Sequence, residues 1–349
     1  MRYKYLDVAK GITLIFILMA HSCGFPFGLT GYCISYFVSL FFVVSGYLQR
    51  DVLVAGEYIC RRFRRIVIPY FAYNLLIFII YIFWKGFESF KEAIQAIVGI
   101  FYSTYCLFFP IETENNIFFF RIENNPTWFL TAFFFSNLLF GFYVRYCTKM
   151  IYKIIVFVLF IVITQILYYC PVFLPWNIDK AFIGANFMIF GYELRKYDWR
   201  EKETKTKKYI SILFFMILYK LLVDFNPGMS LATREYGCHG IYSAGLYLVT
   251  GIIGSLLCMW YSRIISGIPC VGTVLAIVGK ESLVIMAMHL IIFRIIDQIF
   301  QHRQPQQLGD FYYWFFSIFR IGVTCMIILG VTYGIRYVRA GKMQEICRH

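Results

Sequence analysis

Charge is scarce in this chain. Of its 349 residues only 15% are Asp, Glu, Lys or Arg, and just 19 are acidic. A soluble domain needs a wetter surface than that, so an ordinary globular enzyme is excluded. Segments of sustained polar–apolar alternation are missing too, which excludes a transmembrane β-barrel. The 11 cysteines form no CxxC pair, so there is no zinc or disulfide framework, and no metal site is expected. Most of them fall in apolar runs, where Cys behaves as a small hydrophobe. Cys106, Cys170 and Cys238 fall in loops read as external, and a disulfide among them stays open. No internal repeat and no low-complexity linker divides the chain, which reads as one domain over residues 1–349.

What the chain has is apolar bulk. Sixty per cent of it is hydrophobic, with 39 Phe and 28 Tyr. Several runs exceed the roughly 18 apolar residues that cross a bilayer as a helix. The pattern predicts an all-α polytopic integral membrane protein with about ten transmembrane helices. They fall near residues 8–24, 31–49, 66–84, 127–146, 151–170, 179–195, 207–225, 241–262, 282–300 and 312–336. The stretch 87–105, "FESFKEAIQAIVGIFYSTY", is amphipathic and is expected on the surface or as a re-entrant segment. The first run contains His21 and lacks a small-residue cleavage site, so it is expected to be a span rather than a removed leader.

The net charge of +14 would suggest nucleic acid in a soluble protein. Here its distribution follows the membrane. With ten spans and a cytoplasmic N-terminus, 24 Lys and Arg fall on the inner side. Six fall outside: Lys85, Lys91, Arg121, Lys180, Arg234 and Arg303. That asymmetry obeys the positive-inside rule, puts both termini in the cytoplasm and removes the need for a nucleic-acid partner.

Ionisable groups inside spans are costly and are usually kept for function. In "LDVAKGITLIFILMAH", Lys10 and His21 are eleven residues apart, about three helical turns, and so share a face, with Asp7 close to it. Lys10 is expected at the inner mouth, and His21 near the bilayer middle, about 16 Å further along. The plainer alternative is a snorkelling lysine and a histidine bonded to a neighbouring helix. In "GKESLVIMAMH", Ser282 and His289 are seven apart on one face, and this imidazole is expected to converge with His21 or to bridge two helices. In "YICRRFRRIVIPYF", Arg61, Arg62, Arg64 and Arg65 stand directly before a span; they fix topology and touch lipid, or they bind phosphate. Ser45 and Tyr47 flank a small Gly in "LFFVVSGYL", and Trp128 in "PTWFLTAFF" suits an interfacial anchor. Lys220 with Asp224 and Arg294 with Asp297 read as intrahelical pairs, and Glu193 as a solvated boundary residue.

Six segments in order resemble the membrane-bound acyltransferase 3 family, most closely its sugar O-acetylase branch, such as the fucose 4-O-acetylase-like proteins. They are "LDVAKGITLIFILMAH", "LFFVVSGYL", "RRFRRIVIPY", "PTWFLTAFF", "FMIFGYELRK" and "GKESLVIMAMH", and they cover nearly the whole chain. Many members carry Arg where this chain has Lys10, which keeps the charge but loses the planar fork. No extracellular hydrolase-like domain of the kind some members carry is expected. The resemblance implies acyl transfer from cytoplasmic acyl-CoA, acetyl-CoA in the first instance, to a hydroxyl of a sugar, glycan or lipid-linked glycan. It implies acyl-CoA as co-substrate with no tightly bound cofactor, a carbohydrate or glycolipid acceptor, contact with membrane lipid, and a place in a bacterial cell membrane. A homo-oligomer is compatible with it. It assigns the essential role to His21, as general base or as acyl-carrying nucleophile. Lys10, Arg61, Arg62 and Arg65 would hold the donor, and Asp7, Ser45, Tyr47, Trp128, Ser282 and His289 would line the site. A secondary transporter or an export component is the rival reading, though the paired, broken half-repeats common in transporters are not evident.

Overall fold

The computed structural model describes residues 3–22, 29–50, 55–84, 86, 89–104, 125–196, 205–300 and 311–346. The helices are α1 (Lys4–Ser22), α2 (Thr30–Leu48), α3 (Ala55–Arg62), α4 (Ile68–Trp84), α5 (Phe90–Tyr102), α6 (Trp128–Tyr146) and α7 (Met150–Tyr168). They continue with α8 (Ile178–Lys196), α9 (Lys205–Phe225), α10 (Ser243–Ile265), α11 (Val271–Lys280), α12 (Ser282–Ile299) and α13 (Phe311–Ile346). The described β-structure is one short antiparallel pair, β1 (Met229–Ser230) with β2 (Glu235–Tyr236). Eight of the described helical stretches are long and apolar enough to cross a membrane, as expected for a multi-pass helical membrane protein. A helix forms at each of the ten segments singled out by hydropathy.

The chain divides into two compact units. The first is residues 1–28 with 262–349, the second 29–261. In the first, α11 lies along α1, and two glycines set that approach. A Cβ on Gly11 would come within 2.1 Å of the Leu275 carbonyl oxygen, and one on Gly279 within 1.9 Å of that of Asp7. Only hydrogen fits at either place, which explains the Lys-Gly and Gly-Lys steps of the two motifs. The helix breaks at Glu281 and resumes as α12. Glu281 is buried there and is gripped by both guanidinium nitrogens of Arg336 on α13, at 2.7 and 2.8 Å.

In the second unit, α8 packs against α2, α6 and α7. Gly46 and Gly191 let α2 and α8 touch backbone to backbone. Most of α8 is therefore buried by protein, which accommodates a sequence too charged to read as a simple lipid-facing span. At its N-terminal end Asp179 and Arg234, both fully buried, pair at 3.0 Å. Lys180 donates to the Asn177 side chain and to the Ala232 carbonyl at 2.8 and 2.7 Å. The amphipathic stretch contains α5, capped by Ser89, whose side chain accepts from the Glu92 N–H. Cys170 and Cys238 are free thiols, and Cys106 lies outside the described residues.

Candidate active site

His21 lies in the last described turn of α1, one residue before Ser22. The residue is exposed, and its ring faces His289 of α12 with ring centres 5.2 Å apart and planes inclined by 44°. His289 is fully buried. Its Nδ1 lies 2.8 Å from the Met286 carbonyl oxygen. A carbonyl can only accept, so Nδ1 carries the proton, and in the neutral ring Nε2 holds a lone pair. That Nε2 is buried and has no hydrogen-bond partner. The expected convergence of two imidazoles is thus found.

The surroundings of this pair come from α13. Arg320 donates from Nη1 to both carboxylate oxygens of Asp297, at 2.7 Å each. Its Nη2 reaches the Ser22 carbonyl at 2.7 Å and its Nε the Ser22 hydroxyl at 3.1 Å. The guanidinium also lies 4.5 Å over the Phe293 ring, whose edge meets the His289 ring at 5.6 Å. One arginine therefore ties down the residue after His21 and backs the ring beside His289. Sequence reasoning paired Asp297 with Arg294 and left Arg320, a further partner of Asp297, without a role. The signal was present: an arginine within an apolar run.

At the other end of α1, Lys10 binds the carboxylate of Asp7 at 2.8 Å. Asp7 is buried, so Lys10 first compensates that charge and is not a bare cation at the helix mouth. Ser282 opens α12, half-buried, two turns before His289.

The arginines lie in the second unit. Pro69 has no N–H to give the Arg65 carbonyl one turn back, and its ring crowds that oxygen. The helix answers by widening into a π-turn over Phe63–Val67 before continuing as α4. With Arg61, Arg62 and Arg65, the residues Ser45, Leu48, Gln49, Arg50 and Tyr58 line a pocket of about 440 Å³. Arg62 donates to the Gln49 side chain at 2.6 Å and lies 5.0 Å over the Tyr58 ring. Tyr58 in turn donates to the Asn137 carbonyl at 3.2 Å. Gln49 and Arg50 are shared with a second pocket of about 400 Å³, completed by Tyr192, Arg195 and Lys196. The sequence reading found Ser45 and three of the arginines, and missed Gln49, Arg50, Tyr58 and Arg195.

Other expectations are corrected. Glu193 is not simply solvated: it accepts from Tyr143, Lys153 and Lys196 at 2.9, 2.9 and 3.2 Å. Tyr47 is buried, and its carbonyl accepts from Arg195 at 3.5 Å. Trp128 starts α6, nine residues before Asn137, and holds the Lys180 ammonium 4.5 Å over its ring. Lys220 and Asp224 do pair within their helix, at 2.5 Å. Among the described residues no group of three or more His, Cys, Asp or Glu is placed to hold a metal ion.

An exposed imidazole against a buried one suits proton transfer to or from a reacting group, and the cationic pocket of the second unit, taken by itself, suits an anionic ligand. The model of one protein family, described as an acyltransferase domain, matches residues 3–334. The chain belongs to the acyltransferase 3 family. No curated protein matches it, and neither does any solved structure. The chain is therefore an acyltransferase, and membership of an enzyme family replaces the transport reading. Both glycine contacts that join α1 to α11 and the π-turn before α4 lie inside the matched region.

Proposed function

We propose that this acyltransferase moves an acyl group, acetyl in the simplest case, from cytoplasmic acyl-CoA to a hydroxyl of a sugar, glycan or lipid-linked glycan. It does so as a ten-span protein of the cell membrane with both termini inside. The observation that carries the reading is the exposed His21 ring set against the buried, proton-fixed His289. A sugar hydroxyl is a poor nucleophile until a base takes its proton during attack, and neutral imidazole suits that task near pH 7. The hydroxyl oxygen attacks the thioester carbonyl carbon while an unprotonated ring nitrogen of His21 takes the hydroxyl proton. The tetrahedral intermediate collapses, the C–S bond breaks, and the imidazolium returns the proton to the departing thiolate. The products are an ester and CoA thiol.

The donor's phosphates need cations and forked donors. Arg61, Arg62 and Arg65 supply them in the first pocket, and Arg50, Arg195 and Lys196 in the second. The pyrophosphate is assigned to the first and the ribose phosphate to the second. Lys10, already paired with Asp7, is left to fix the start of α1. The test is to give purified protein acetyl-CoA labelled in the acetyl group, with membrane extracts as acceptor. Release of CoA thiol together with a label that base removes, as an ester requires, supports the proposal. Label held as a base-stable amide, or no thiol release in any extract, overturns it.

A further inference from the structure

The mechanism needs only one imidazole, yet the first unit buries a second one beside it. His289 occupies the middle of α12, fully enclosed. One of its nitrogens is spent on the Met286 carbonyl at 2.8 Å. The other, Nε2, is buried without a partner. An orphaned buried acceptor is costly, which a purely structural histidine would avoid. Its neighbour is the His21 ring, 5.2 Å away between centres. An in-line N–H···N bond of about 3 Å between two five-membered rings gives a centre separation of roughly 5 Å, so the spacing allows a bond that is not formed in this structure and that a turn of the His21 ring would complete. The 44° inclination is compatible too, because the rings can twist about the bond. The two rings differ in freedom. His289 is locked by Met286 and backed by Phe293, itself covered by Arg320. His21 is exposed, and no hydrogen bond of its ring to His289 is formed in this structure.

We infer that His289 is the positioning residue for His21: its Nε2 accepts the N–H of His21 and so holds His21 in the one tautomer whose other nitrogen is free to act as base. The inference rests on the general-base reading above and adds the group that orients the base. The logic is that of a carboxylate behind a catalytic histidine, with a neutral imidazole as acceptor. A neutral acceptor suits a low-dielectric site, since it steadies the transient imidazolium without a second buried charge. It also explains why Nδ1 is pinned: a flip of the His289 tautomer would turn Nε2 from acceptor to donor and leave His21 the wrong way round.

Two amides separate this role from a structural one, because each keeps a different half of the imidazole. In His289→Gln the side-chain oxygen reaches the place of Nε2 and still accepts. In His289→Asn the side-chain nitrogen reaches the place of Nδ1 and still donates to Met286. With thermal stability and acetyl-CoA affinity measured alongside, kcat is expected to fall about 10-fold in the Gln variant and about 10²-fold in the Asn variant, with the donor KM unchanged. An Asn variant as active as the Gln variant, or more so, overturns the pairing. Should either variant not fold, the wild type decides. Its imidazole ¹⁵N spectrum, with the His21 signals identified by their loss in His21→Gln, is expected to show one tautomer at His21, and an even mixture overturns the inference. Failure of the general-base reading looks different: His21→Gln would then remain active whatever is done at His289.

Discussion

His21 carries the chemistry at the scale of single residues, and its replacement makes a sharp expectation. His21→Ala should lower kcat by about 10²–10⁴-fold, the usual worth of a positioned base, with acetyl-CoA affinity retained. His21→Gln should not rescue, because an amide cannot take a proton; steady-state kinetics with a parallel donor-binding assay check both. Arg320 acts through contacts rather than chemistry. It joins Asp297 and Ser22 at once, and a lysine offers one point charge where a planar fork is used. Arg320→Lys should therefore cost about 1–3 kcal/mol of stability, read from unfolding in detergent, and lower kcat more than it raises the donor KM. Lys10 and Glu193 show why spacing alone misreads such residues. Charge and periodicity place them on a face, but whether a carboxylate or a lysine comes in from another turn or helix is decided by packing.

Among the elements, the helix of the arginine cluster is set by Pro69. The π-turn before it adds a residue to one turn and rotates the side chains upstream relative to those of α4. Pro69→Ala restores the missing N–H and allows a regular α-helix, which should swing Arg65 away from Arg61 and Arg62. The expected result is a raised KM for acetyl-CoA with kcat little changed; an unchanged donor KM would return the cluster to topology alone. Helix positions were largely legible because apolar runs of membrane length have few other structures available. The break at Glu281 was not legible. No proline marks it, and it depends on the Arg336 grip from α13, a contact far along the chain. The close glycines were visible as motif letters, but their meaning, a carbonyl within about 2 Å of any added Cβ, is a property of the packed pair.

For the whole molecule, the proposed topology rests on the distribution of Lys and Arg. A single cysteine placed in the segment 197–204, in a background without reactive native thiols, should resist an impermeant reagent in intact cells and react after permeabilisation. Labelling in intact cells would reverse the orientation. The sequence made the all-helical membrane class and the family plain, since both rest on long-range composition and on motifs spread over residues 3–334. It located His21, His289 and the arginines but not their partners. Those partners, Arg320, Gln49, Tyr58 and Arg195, come from turns or helices that only folding brings near.

The central claim is that this acyltransferase passes an acyl group to a hydroxyl with His21 as proton acceptor. The most direct measurement compares wild type and His21→Gln, purified alike, for binding of labelled acetyl-CoA and for formation of labelled ester. The account predicts equal donor binding, ester formed by the wild type, and turnover by the variant lower by about 10² or more. A variant that binds acetyl-CoA and forms ester at nearly the wild-type rate would contradict it.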